Sequence, residues 1–126
     1  MVMKEALVQK GLGVNIHDVP VPKPGPGEVL IKIAYAGCNP KDWKYSLHHG
    51  GVSNSGDDMA GTIAEVGEGV AEFHPGDRVA AMHVMGSQHG SFAEYGIAPA
   101  STTFLLPSKT SFEEVGELLI GEYQHH

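Results

Sequence analysis

Glycine or proline interrupts this chain so often that long regular elements have little room, with 17 glycines and 8 prolines spread over 126 residues. Glycine opens backbone angles closed to other residues, while proline removes a ladder donor and presets a turn. What lies between these breaks is short and strand-like. Lys4 to Gln9 reads as a first strand, a turn follows at Gly11, and Val14 to Val19 reads as a second. The stretch PVPKPGPGE, Pro20 to Glu28, suits neither helix nor central strand and reads as an extended connector ending in a turn. Val29 to Ala36 is the clearest strand, with Val29, Ile31, Ile33 and Tyr35 alternating with Leu30, Lys32, Ala34 and Ala36.

After Gly37, NPKDWKYSL suits a short helix. Asn39 can cap it, Pro40 sits where a missing N–H costs nothing, and Asp42 favours the positive end. Strand character returns from Met59 to Val66, through Val79 and Ala81 after a Pro75-Gly76 turn, and from Ser91 to Ile97. Near the end, Ser111 and Glu114 have the capping-box spacing of a helix start. Many short strands, Gly/Pro turns and few helices predict a mainly β fold, a small, partly open barrel with short helices.

Composition narrows the function classes. At 41% apolar and 18% charged residues, the chain reads as one soluble domain. No apolar run approaches the roughly 20 residues that cross a bilayer, and the start lacks a secretory h-region. The lone Cys38 cannot form an intramolecular disulfide, so a cytoplasmic location is expected, with no membrane association. Fifteen acidic against eight basic residues give a net charge of -7, which repels phosphate backbones and argues against nucleic acid as a partner.

The ordered motifs PGPGEVLIKI, AYAGCNPKDWKY, GDDMAGTIAEVGEGV, FHPGDRV, GSFAEY and LLPSKTSFEEV resemble the N-terminal GroES-like domain of the medium-chain dehydrogenase/reductase superfamily. The likeness runs from about Lys4 to Glu114, and NPKDWK and GDDMAG are most similar to the zinc-independent quinone oxidoreductase and fungal trans-acting enoyl reductase branch. This resemblance implies a GroES-like barrel over residues 1–115, with 116–126 a C-terminal tail or the start of an absent Rossmann domain. It implies a polyketide-like small-molecule substrate. A homodimer or a biosynthetic enzyme partner is also expected, since Val115, Leu118, Leu119 and Ile120 offer a late apolar group for association.

NADPH is implied only for a full-length relative, and no cofactor is expected on this chain alone. Neither GLGVN nor VGEGV places G-x-G-x-x-G at a helix start, where a pyrophosphate would sit. No metal is expected either. Zinc-dependent members hold a cysteine directly before the position of Pro40, where this chain has Asn39 with Cys38 one residue early, and a histidine at the position of Asp57. Zinc prefers sulfur and nitrogen donors in a complete tetrahedral set.

Three functional readings stay open. The first is the substrate-side domain of a zinc-independent enoyl reductase or quinone oxidoreductase, unable to transfer hydride alone. The second is a repurposed, cofactor-independent cyclase, isomerase or dehydratase. There Asp57 or Asp58 would act as base, His83 or His89 as proton shuttle, and Lys44 or Tyr45 as oxyanion donor. Asn39, Trp43, Met59 and Met82 would line its substrate pocket. The third is a non-enzymatic binding or assembly subunit. Each motif also has a purely structural reading. Gly61, Gly67, Gly69 and Gly76 serve turns or close crossings, Asp77 binds backbone donors in its turn, and Phe92, Ala93 and Tyr95 pack. Cys38 reads as a small buried thiol, because no nearby histidine pairs with it as a base.

Overall fold

The computed structural model describes residues 2–9, 13–37, 52–54, 56–84, 88–107 and 109–112. In chain order the strands among them are β1 (Val2–Gln9), β2 (Gly13–Pro20), β3 (Glu28–Ala36), β4 (Val52–Ser53), β5 (Asp58–Val66), β6 (Arg78–Met82), β7 (Tyr95–Pro99) and β8 (Thr103–Leu105). A 3-10 turn, Ala100–Thr102, joins the last two. All pairings are antiparallel. One sheet has the order β2-β1-β4 and the other β7-β3-β5-β6-β8.

The second sheet must curl. β7 and β8 occupy its opposite edges, yet only the three residues of the 3-10 turn separate them in sequence. The edges are therefore drawn together, and the Thr102 hydroxyl donates to the Met82 carbonyl at 2.7 Å across the closure. This is the mainly β, half-barrel form predicted from the turn-rich sequence.

Packing explains why β3, β5 and β6 are its staves. Val29, Ile31, Met59, Ile63, Val79, Ala81 and Ala98 are buried in one cluster inside the curl, each large side chain contributing about 1.5–3 kcal/mol by leaving water. β3 departs from strict alternation because its register against β5 shifts between Leu30 and Ile31, and Leu30 is buried beside both apolar neighbours. Gly61 is required by closeness, since a Cβ there would lie 2.1 Å from the Lys32 carbonyl oxygen. Gly76 is required by angle, at φ 97°, in the turn where the Asp77 carboxylate accepts from the His74 backbone N–H at 2.9 Å.

One local expectation changes, and two strands are new. The strand expected over Ser91 to Ile97 begins at Tyr95 and runs to Pro99. Residues 91–94 turn instead toward the first sheet, where Ala6 N–H donates to Phe92 O at 2.8 Å and Glu5 bridges Ala93. β4 and β8 were not anticipated. They are two and three residues long and exist only by pairing with distant strands. The helix expected from Asn39 lies outside the described residues, as do Cys38 and the apolar group at Val115, Leu118, Leu119 and Ile120; Phe112 is helical.

Candidate functional site

The β5–β6 ladder ends where Asp58 pairs with Met82. One step further, His83 N–H donates to the Asp57 carbonyl at 2.7 Å. Ladder geometry thus gathers Asp57, Asp58, Met82 and His83, four residues that sequence reasoning singled out from two separate motifs. Asp57 is 3% exposed, Asp58 1% and His83 7%, whereas Met82 is 38% exposed. Met59 points the other way, into the main core. Asn39, Trp43, Lys44 and Tyr45 lie outside the described residues.

The His83 ring is fixed by β7, its Nδ1 lying 2.6 Å from the Ile97 carbonyl oxygen. A carbonyl oxygen only accepts, so Nδ1 carries the proton in this contact and Nε2 is the acceptor of the neutral ring. His89 is held by the same residue, with Ile97 N–H donating to the His89 carbonyl at 2.9 Å. Its backbone is left-handed at φ 66°, where a residue with a Cβ is strained by about 1 kcal/mol. The glycine beside it does not relieve that angle. Gly90 is needed for room, because a Cβ there would come within 2.3 Å of the Gly56 carbonyl oxygen.

His83 and His89 therefore face one cleft of about 240 Å³, with Lys23, Glu28, Val84, Gln88, Ile97 and Pro99 as its other walls. Asp57 and Asp58 are not among those walls. The Glu28 carboxylate accepts from Gly25 N–H at 2.8 Å.

Sequence reasoning missed Asn54, which is 6% exposed. Its Nδ2 donates to the Gly90 carbonyl at 2.9 Å and to Glu5 Oε2 at 3.2 Å. Its Oδ1 accepts from Phe92 N–H at 3.0 Å and Gly56 N–H at 3.3 Å. One amide thus ties the loop before Asp57 to the loop after His89. The only signal was an asparagine in a Ser/Gly stretch, VSNSG, which reads as a turn.

No three His, Cys, Asp or Glu side chains among the described residues are placed to hold a metal ion. Nor do those residues build a dinucleotide cradle. Gly67 and Gly69 form a turn after β5 in which the Glu68 carbonyl accepts from Gly27 N–H at 2.9 Å, and no helix begins there. No helix among the described residues is long and apolar enough to cross a membrane.

Residues 25–108 match the family described as the alcohol dehydrogenase GroES-like domain. The chain belongs to that family. This GroES-like domain is 55% identical over 114 residues to trans-enoyl reductase fsr4 of Gibberella fujikuroi, covering 89% of the chain and 34% of that protein. It is 37% identical over 124 residues to the chloroplastic quinone-oxidoreductase QR1 of Triphysaria versicolor, covering 90% and 36% respectively. Among solved structures it resembles the quinone oxidoreductase from Coxiella burnetii, with a TM-score of 0.79 and 26% identity over 89% of this chain and 39% of that one. The GroES-like domain thus spans about a third of the length of the curated relatives it matches. It is a partial representative of the medium-chain dehydrogenase/reductase superfamily.

Proposed function

We propose that this GroES-like domain is the substrate-side part of a zinc-independent enoyl reductase that takes a polyketide-like enoyl compound, and that it transfers no hydride by itself. The observation that carries this reading is the 55% identity to a trans-enoyl reductase over nearly the whole chain. Asp57 supports zinc independence, because a buried carboxylate stands where zinc-dependent members hold an imidazole. NADPH would supply the hydride in a complete reductase. The turn at Gly67 and Gly69 opens no helix that could receive its pyrophosphate. The role left to this chain is to shape and orient substrate at the rigid end of the β5–β6 ladder.

A chimera tests the proposal, with this chain replacing the matching N-terminal third of the Gibberella fujikuroi enzyme. It is expected to oxidise NADPH in step with reduction of an enoyl thioester, with or without a chelator. A folded but inactive chimera, loss of activity on chelation, or enoyl-dependent NADPH oxidation by the 126-residue chain alone would each overturn it.

A second reading is favoured by one observation: two histidines line the same cleft. In that reading the domain is a cofactor-independent cyclase, isomerase or dehydratase using His83 or His89 for proton transfer. An isomerised, cyclised or dehydrated product formed by the chain without NADPH, detected by mass spectrometry, would establish it.

A further inference from the structure

We infer that the free edge of β2 is an interface for a second copy of this chain, the two β2 strands pairing antiparallel about a two-fold axis. The direction of the backbone groups decides which residues are offered. The Lys4 carbonyl accepts from Glu94 N–H, Lys4 N–H donates to Glu94 Oε1, and Ala6 N–H donates to Phe92 O. Lys4 and Ala6 therefore turn their backbone groups toward residues 92–94, on the side of β1 away from β2. Bonded and non-bonded pairs alternate along an antiparallel ladder, so Met3, Glu5 and Leu7 bond to Val19, His17 and Asn15. The residues between, Val14, Ile16 and Asp18, lie opposite Val8, Ala6 and Lys4. Their N–H and C=O groups point outward, where β2 is the last strand of its sheet among the described residues.

The usual devices that close a sheet edge are missing here. A lysine, a bulge or a mid-strand proline blunts most exposed edges. The β2 sequence GVNIHDVP has no lysine, and its proline is the last residue. Its register against β1 runs unbroken from Gly13 to Pro20. The acid of the strand, Asp18, is matched within the hairpin by Lys4 at 2.6 Å. In a chain of net charge -7, two copies can thus meet along β2 without a bare carboxylate between them.

The strand also fits itself. With the two-fold through Ile16, Ile16 faces its mate and Val14 faces the other copy's Asp18. Each such pair exchanges both of its hydrogen bonds, so every outward N–H is used. Asp18 stays clear of the second Asp18, the like-charge pairing that would oppose association. Ile16 is 69% exposed, and Val14 and Val2 lie exposed on the same face of the hairpin. Pairing sets Ala6 and Ile16 of one copy in a row with Ile16 and Ala6 of the other, covering the aliphatic surface between them. The product is a continuous sheet of order β4-β1-β2-β2-β1-β4. One strand pair is a small interface, so a dissociation constant on the order of 0.1 mM is expected. This inference goes beyond the reductase reading and does not rest on it.

Sedimentation of the 126-residue chain from about 10 µM to about 1 mM should show monomer passing to dimer. Amide hydrogen exchange over the same range locates the interface. The amides of Asn15, His17 and Val19 should be protected throughout, and those of Val14, Ile16 and Asp18 should slow only where the dimer forms. Ile16→Lys sets like charges against each other and removes the aliphatic contact, so association should weaken by about tenfold or more. Phe104→Lys, at an exposed position on the far edge strand β8, should leave association unchanged. Should Ile16→Lys fail to fold, the exchange pattern of the parent chain decides alone. A chain still monomeric at about 1 mM overturns the inference and leaves the edge to a strand of another protein. A dimer that does not slow the three outward amides, or an Ile16→Lys variant that associates as tightly as the parent, overturns it as well.

Discussion

Replacing Asn54 by alanine removes one small side chain and four hydrogen bonds at once. Two of them, to Gly90 O at 2.9 Å and from Phe92 N–H at 3.0 Å, have good distances, while those to Glu5 at 3.2 Å and from Gly56 at 3.3 Å are longer. Counting about 1 kcal/mol for each good bond and about half that for each long one gives about 3 kcal/mol. Much of the loss comes from buried backbone groups left behind, which alanine cannot satisfy. Against a domain stability of about 5–15 kcal/mol this is a large fraction. Urea unfolding should show it as a midpoint lowered by about 1.5 M, taking a slope of about 2 kcal/mol/M, with the slope unchanged. Amide exchange at Phe92 and Gly56 should quicken more than at Val79 in the core. Asn54→Asp serves as the comparison. It keeps both accepted bonds but turns an oxygen toward the Glu5 carboxylate and the Gly90 carbonyl, so at neutral pH it should destabilise at least as much. A loss below about 1 kcal/mol for Asn54→Ala would refute the claim that one amide holds the two loops together.

Other perturbations follow from the same structure. Gly61→Ala should cost about 2–4 kcal/mol, since its Cβ meets the Lys32 carbonyl oxygen at 2.1 Å. Gly69→Ala, at φ 85° with nothing within 4 Å, should cost only about 1 kcal/mol in the same unfolding assay. Arg78→Lys keeps the charge but cannot bridge both the Pro107 and Thr110 carbonyls or stack as well on Phe112, and about 1 kcal/mol should be lost. Limited proteolysis should then cut sooner within residues 107–112. The hydrogen bond and charge of Asp18 hold the Lys4 ammonium above its ordinary value of 10.5. Any stability it brings is present below that value and lost as pH rises through the higher folded one, so unfolding midpoints between pH 5 and 8 should not move on its account. Asp18→Asn should return Lys4 toward its ordinary value by NMR titration.

The parts of the fold legible in the sequence were those written in local pattern. β3 announces itself by apolar alternation, β5 and β6 by short apolar segments between glycine and proline turns, and Asp77 by its place in FHPGD. Residues whose roles depend on distant partners were not legible. Nothing local distinguishes Thr103–Leu105 as a strand until β6 is beside it. Asn54 is one polar residue in a small-residue loop until Gly90 and Phe92 meet it. His83 and His89 could be named from the sequence, but their common cleft follows from Ile97, a residue the sequence marks only as apolar. Gly90 shows why a rule of thumb misleads here: the flexible residue sits next to the unusual angle, and crowding by Gly56, not torsion, dictates it.

Glu94 belongs to both halves of the molecule. Its N–H donates to the Lys4 carbonyl at 3.1 Å, its carbonyl accepts from Ile33 N–H at 2.9 Å, and its side chain accepts from Lys4 N–H at 2.7 Å. Beside the Ala6–Phe92 and Glu5–Ala93 contacts, Glu94 thereby stitches the β1–β2 hairpin directly to β3. Peeling the hairpin away would pull directly on the middle of β3, so the outer leaf and the barrel stave beneath it should loosen as one cooperative unit, with the amides of Ala6 and Ile33 exposed to solvent in the same opening event.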